Sequence, residues 1–176
     1  MDQPKNISSK NTYTPTNDGP KVVGPPNQNG TQLPNTPILE YKRFENEYSH
    51  RGAIKAQAST AQKAYPVPNV KVEISKPFPS GEYIISTQTT DISGLTEPVA
   101  LPAPSAESST SPNDSKPPYF SYNLRFTHPD FTEVRIYNVP VFENIISIQP
   151  VELIPKAITP LGLDVIQYTV HEPDEL

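Results

Sequence analysis

The stretch at residues 120–126, FSYNLRF, decides the fold of this chain. Successive side chains of a β-strand point to opposite faces, so the alternation places Phe120, Tyr122, Leu124 and Phe126 together on one face. Four large side chains on one face need a core to pack against. We therefore predict a central core strand here, in a domain built from β-sheets.

Shorter segments on both sides repeat this alternation. They predict strands at residues 54–59, 70–74, 133–137, 145–154 and 165–170. In the segment 145–154, Ile146 and Ile148 are out of phase with Val151 and Leu153, and Pro150 lies at the shift. A β-bulge at Pro150 would reconcile the two halves, and we expect one there.

Residues 83–89 and 95–101 are two further β-rich segments, separated by the turn sequence TDISG at 90–94. This arrangement predicts a hairpin, with Pro98 restricting the returning strand to an edge or to a bulged strand. Asp91 and Ser93 are residues that cap turns, and Gly94 supplies a positive φ. We interpret them as a structural turn rather than as an oxyanion or calcium loop.

About seven short strands with turn signals between them indicate an all-β sandwich, which we place at residues 50–156. The 23 prolines among 176 residues disfavour long helices. Residues 1–37, rich in Pro, Asn and Thr, are expected to form a disordered arm. Residues 38–49 form a linker or a helical turn, residues 103–116 a mobile loop, and residues 157–176 a C-terminal extension.

Composition excludes several classes of protein. There is no cysteine, so disulfides, thiolate nucleophiles and cysteine zinc sites are absent. The net charge is -5 without a basic cluster, which disfavours nucleic acid and anionic membranes as partners. No stretch approaches the roughly 20 apolar residues of a membrane span, and the N-terminus lacks an apolar run, so we expect a cytoplasmic protein without membrane insertion.

No pattern typical of catalysis or of metal binding stands out. His50, His128 and His171 lack paired metal-ligand spacing, and neither a Gly-x-Ser-x-Gly elbow nor a glycine-rich phosphate loop occurs. We expect no catalytic residue, no metal and no cofactor. The alternative, an enzyme of unknown type, would require Asp91 or one of the glutamates to be essential for an activity.

Several short motifs resemble those of the carboxypeptidase regulatory-like domain. They are VPNVKV at 67–72, TDISG at 90–94 and LIP at 153–155. More narrowly, LPAP at 101–104, PPY at 117–119, PDF at 129–131 and NVPVF at 138–142 resemble the N-terminal non-catalytic module of clostridial spore cortex-lytic enzymes. The resemblance implies a Greek-key, transthyretin-like sandwich. Asn69 and Asp130 replace the usual glycines, and both residue types tolerate positive φ.

The expected function is that of a non-catalytic structural or adaptor module with a protein partner. The resemblance implies a role in the spore cortex or envelope, and we expect this chain to act without the catalytic domains of those enzymes. The alternative is a module that binds carbohydrate or peptidoglycan through exposed aromatic residues. Tyr119 and Tyr137 are the candidate residues for the interaction surface.

Overall fold

Two β-sheets pack face to face with one helix against them, as seen in a computed structural model of the chain. The structure describes residues 36–107, 117–159 and 162–171. The arm expected at residues 1–37 therefore lies outside the described residues except for its last two positions. Residues 108–116 of the loop expected to be mobile lie outside them as well.

The described residues form one α-helix and nine strands. Helix α1 spans Pro37–Glu47, and a 3-10 turn spans Lys156–Ile158. The strands, in chain order, are β1 Arg51–Thr60, β2 Tyr65–Pro66, β3 Lys71–Phe78, β4 Gly81–Thr89, β5 Val99–Pro102, β6 Phe120–His128, β7 Phe131–Val141, β8 Ile146–Glu152 and β9 Val165–Thr169.

The larger sheet is built around β6, in the order β4-β3-β6-β7-β9. Strand β6 pairs antiparallel with β3, where Leu124 faces Ile74, and with β7, where Leu124 faces Ile136. Tyr122 and Phe126 are fully buried. The predicted central strand is confirmed. Phe120 is only partly buried, because it lies at the end of the strand, against α1.

The sheet continues past β7 into the C-terminal part of the chain. Strand β9 pairs parallel with β7, from Glu133 facing Val165 to Tyr137 facing Thr169. The strand predicted at residues 165–170 is therefore present, and part of the C-terminal extension belongs to the sandwich.

The smaller sheet is centred on β1. Strand β8 runs parallel to β1 on one side, while β5 and β2 pair antiparallel with its two ends on the other side. Ile54, Ala56 and Ala58 face the core, as the alternation at residues 54–59 predicts.

The two sheets enclose one hydrophobic core, so the fold is the all-β sandwich expected from the sequence. After β5 in the smaller sheet, the chain returns to the larger sheet, where β6 pairs with β3. Asn69 has the positive φ of +59° expected at its turn, whereas Asp130 does not adopt one. The largest fully buried side chains are Tyr122, Phe126, Ile54, Ile74, Leu101, Leu124, Leu153, Val70, Val72, Val134, Val139 and Val141.

The hairpin predicted from residues 83–89 and 95–101 is wrong. Strand β4 pairs with β3 in the larger sheet, and β5 pairs with β1 in the smaller one. The turn at residues 90–94 therefore carries the chain from one sheet to the other. A strand–turn–strand sequence has the same pattern in a hairpin within one sheet and in a connection between two sheets, because the local sequence does not specify which strand each one pairs with.

The bulge predicted at Pro150 is also wrong, since β8 keeps an unbroken register along β1. Ala53 N donates to Ile145 O, and Leu153 N donates to Ser59 O. In this parallel ladder the odd-numbered residues of β8 bond to β1, so the nitrogen of Pro150 faces away from it. The missing N–H of Pro150 is therefore not needed for a hydrogen bond to β1, and the strand continues regularly.

Helix α1 covers one end of the sandwich. It has 11 residues, more than the one or two turns expected. The ring of Tyr41 stacks on Tyr83 at 4.9 Å, and the ring of Phe44 meets Phe120 edge-on at the same distance. An isolated helix of this length is marginal in water, so these contacts hold it. No helix among the described residues is long and apolar enough to span a membrane.

Candidate functional site

The outer face of the larger sheet carries alternating charges on three adjacent strands. Lys71 Nζ lies 2.6 Å from Glu73 on β3, and Arg125 of β6 reaches Glu73 at 3.2 Å and Glu133 of β7 at 2.9 Å. The Nε of Arg135 donates to the other oxygen of Glu133 at 2.6 Å. We call this set of five side chains the charge network.

The charge network favours the ionised forms of Glu133, Arg125 and Arg135. The hydrogen bond from Arg125 keeps the pKa of Glu133 below its ordinary value, with a further contribution from Arg135, while burial opposes them. Hydrogen bonding to Glu133 raises the pKa of Arg125 and of Arg135 in turn. Arg125 is 46% exposed, so solvent screens these pairs. Their main effect is to orient the side chains rather than to stabilise the domain.

A shallow cavity of about 140 Å³ lies beside the charge network. Its walls include Glu82 of β4, Asn123 of β6, and Arg135 and Tyr137 of β7. Asn123 Nδ2 donates to Glu82 Oε1 at 2.7 Å, and the hydroxyl of Ser75 donates to the same oxygen at 2.8 Å. The polar walls of the cavity are thus fixed by hydrogen bonds between strands.

The cavity presents groups of opposite charge to a ligand. Glu82 forms no ion pair within the described part of the chain, and Arg135 uses its Nε for Glu133. The carboxylate of Glu82, on the β4 side, can therefore accept hydrogen bonds from a ligand, and the guanidinium of Arg135, on the β7 side, can donate them. Tyr137 also lines the cavity. Such a surface suits a small polar group rather than a large apolar ligand.

Tyr119 and Tyr137, the candidate residues for the interaction surface, are not brought together. The ring of Tyr119 packs on Phe142 at 5.4 Å, just before β6 begins, whereas Tyr137 lines the cavity. Phe142 lies five positions beyond Tyr137 in the chain, at most roughly 16 Å away along extended backbone. Tyr137 alone belongs to the charged outer face.

Asp91, Ser93 and Gly94 form a tight turn. One carboxylate oxygen of Asp91 accepts hydrogen bonds from the N–H groups of Ser93 at 2.8 Å and Leu95 at 2.9 Å. Gly94 has a φ of +73°, and its carbonyl accepts the N–H of Ala58 at 2.8 Å. The three residues thus fasten the chain to β1 where it passes between the sheets.

The three histidines lie apart. His50 Nδ1 is 2.6 Å from Glu143, whose other oxygen accepts the N–H of Ala106 at 2.6 Å. The Ala106 amide first, and His50 second, lower the pKa of Glu143. Within residues 36–107, 117–159 and 162–171, no group of three or more His, Asp or Glu side chains is placed to hold a metal ion.

A surface that sequence reasoning missed lies along β8. Ile145, Ile146 and Ile148 are 51%, 58% and 60% exposed. Among the described residues β8 pairs only with β1, so the backbone N–H and C=O of Ile146 and Ile148 point to its open side. We call this surface the β8 edge. The signal for this surface lies in Ile146 and Ile148, whose phase differs from that of Val151 and Leu153 because they face outward and not because the strand has a bulge.

Neither a protein-family model nor a curated protein matches this sequence.

Proposed function

We propose that the chain is a non-catalytic structural or adaptor module that binds another protein through the β8 edge. The observation that carries the proposal is that the exposed residues Ile146 and Ile148, with exposed Ile145 just before them, lie on a strand edge that no described strand pairs with. Clustered exposed apolar side chains are typical of interaction surfaces. An open strand edge also offers a template on which an extended segment of a partner can pair.

The chemistry of the β8 edge indicates what the partner segment looks like. The backbone groups of Ile146 and Ile148 can pair with it, while Pro150 has no N–H and limits the pairing to the first half of β8. Apolar side chains at every second position would pack beside the isoleucines. Lys55 lies next to Ile148 in the register, so an acidic residue beside the apolar ones is favoured.

Site-specific photo-crosslinking tests this proposal. A photoreactive residue at position 148 of the full chain is expected to capture one defined protein in the cells that make it. The same residue at position 92 is the matched control, because Ile92 is 87% exposed and lies in the turn at 90–94. An Ile146→Lys substitution should abolish capture from position 148. Equal capture from both positions, or none from position 148, would contradict the proposal.

The second candidate function is binding of a carbohydrate or of peptidoglycan. It is supported by the cavity, where the ring of Tyr137 adjoins hydrogen-bonding groups. Titration of soluble peptidoglycan fragments, followed by NMR, should then show saturable shifts that Tyr137→Ala removes and Tyr119→Ala retains. Saturable glycan binding together with failure of the crosslinking experiment would replace the adaptor proposal with this one.

A role in the spore cortex or envelope is proposed on the resemblance of the motifs in residues 50–155 alone. A fluorescent fusion of the full chain, followed through sporulation of a spore-forming host, should concentrate at the developing spore. A fusion that stays evenly distributed through the mother cell would count against this role. The crosslinking experiment is independent of it.

A further inference from the structure

Lys76 occupies an inward-facing position of β3, where the strand pattern otherwise places apolar residues. The alternation that buries Ile74 turns Lys76 to the same face, at the end of the core that α1 covers. Its ammonium lies over three aromatic rings, 4.6 Å from the centroid of Phe44, 4.8 Å from Tyr122 and 5.3 Å from Phe120. Helix α1 and strand β6 thus form a cage around this side chain.

The ammonium of Lys76 has no carboxylate partner within the described residues. Its Nζ donates one hydrogen bond, to the carbonyl of Ser121 at 3.1 Å. Lys71, on the outer face of the same strand, instead lies 2.6 Å from Glu73. The two lysines therefore differ in both burial and charge pairing.

The ionisable groups around the cage come from four neighbouring elements. They are the phenols of Tyr41 on α1, Tyr48 just after α1, Tyr83 on β4 and Tyr122 on β6, and the ion pair between Glu45 of α1 and Arg51 of β1 at 3.9 Å. Burial raises the pKa of Tyr41, Tyr48 and Tyr122 above the ordinary value of a phenol, so these three groups are neutral near pH 8. The carboxylate of Glu45 is already paired, so burial dominates the environment of Lys76.

Burial lowers the pKa of Lys76 to about 8. The ring faces and the Ser121 carbonyl stabilise the ammonium in part, but they do not replace its lost hydration. A large share of this amine is therefore neutral just above neutral pH, and the neutral amine is the nucleophilic form. The side chain is only partly buried, which leaves a path for a small reagent.

We propose that Lys76 is an acylation site that reacts selectively with small acyl phosphates. The neutral amine attacks the acyl carbon, a C–N bond forms while the C–O bond to phosphate breaks, inorganic phosphate leaves, and the amine proton passes to water. The product is a neutral amide, which suits an aromatic cage better than a desolvated charge. Its N–H can still donate to the carbonyl of Ser121.

Acetylation of the full chain by acetyl phosphate, mapped by peptide mass spectrometry, tests this assignment. At about pH 8 an amine with a pKa near 8 is roughly half neutral, against below about 1% for an ordinary lysine. Allowing for its lower intrinsic nucleophilicity, Lys76 should react about tenfold faster than Lys71. Its rate should level off as the pH passes about 8. Acetylation of Lys71 or Lys55 at the same rate as Lys76 would overturn the assignment.

Two further measurements separate the cage from the local sequence. In urea, where the cage is lost, Lys76 and Lys71 should react at similar rates, and an unchanged ratio would contradict a role for the folded site. The Lys76→Gln variant places a neutral amide in the cage and should unfold at a temperature no lower than the wild-type chain. A clear drop in that temperature would show that the cage does not accommodate the acylated product.

Discussion

At the scale of single residues, Leu124 shows how much the sandwich depends on β6. It is 1% exposed and lies in register between Ile74 and Ile136. Leu124→Ala should lower the free energy of unfolding by about 2–5 kcal/mol through lost transfer energy and a residual cavity. A domain of this size has only about 5–15 kcal/mol in total, so the denaturant midpoint should fall clearly.

The neighbouring Asn123 is the matched control for that substitution. It faces outward, where its side chain donates to Glu82 at 2.7 Å and accepts the N–H of Asn138 at 3.3 Å. Because these bonds are near solvent, Asn123→Ala should cost only about 1 kcal/mol. A lower denaturant midpoint for Asn123→Ala than for Leu124→Ala would reverse the inner and outer faces assigned to β6.

Lys76 should make the stability of the domain depend on pH. Burial lowers its pKa from the ordinary 10.5 to about 8 in the folded chain. Between these values the unfolded chain binds more protons, so the free energy of unfolding rises with pH in this window and the gain is lost as pH falls through about 8. Denaturation at a series of pH values should show this rise in the wild-type chain and not in Lys76→Met.

The measurement is best kept below about pH 10, where the tyrosines begin to contribute. Burial raises the pKa of Tyr122 and of Tyr41, so their contribution to stability is present below that pH and lost above it. The two effects therefore have opposite signs. A rise of equal size in Lys76→Met would assign the pH dependence to another group.

At the scale of elements, the turn at 90–94 is the connection on which the two sheets depend. Gly94 has a φ of +73°, and a Cβ there would lie 2.2 Å from the carbonyl oxygen of Ala58. Gly94→Ala should therefore cost more than the roughly 1–2 kcal/mol of left-handed strain alone. Gly162, with a φ of +87°, is the control that carries only the strain, because a Cβ there would meet no atom of the described residues within 4 Å. Equal thermal midpoints for the two variants would contradict this account.

The elements also show where sequence patterns suffice and where they do not. The strand at 120–126 is predicted correctly because the alternation of apolar and polar residues alone determines which of its side chains face the core. The supposed hairpin at 83–101 failed because its two strands belong to different sheets, a choice made by distant partners. The bulge predicted at Pro150 is wrong for a related reason. A proline disturbs a strand only where its missing N–H would face the paired strand, and the sequence does not show which side of β8 faces β1.

At the scale of the whole molecule, the candidate sites are assembled from residues far apart in the chain. The cavity draws its walls from β3, β4, β6 and β7, and the cage around Lys76 joins α1 to β3 and β6. Tyr137 was identified from the sequence as an exposed aromatic residue, but its neighbours follow only from strand order. Lys76 is visible in the sequence as a charged residue at a position that the alternation of Val72 and Ile74 assigns to the core face.

The last prediction concerns how much of the chain the sandwich needs. Removing residues 1–35 should leave the thermal midpoint within a few degrees, because this segment has few apolar residues to bury. Thr36 is retained, since its carbonyl accepts the N–H groups of Leu39 and Glu40 at the start of α1. Removing residues 1–48 also deletes Tyr41 and Phe44, and the midpoint should then fall by about 10 °C or more. Equal losses from both truncations would mean that the arm packs on the sandwich and that the prediction of a disordered arm is wrong.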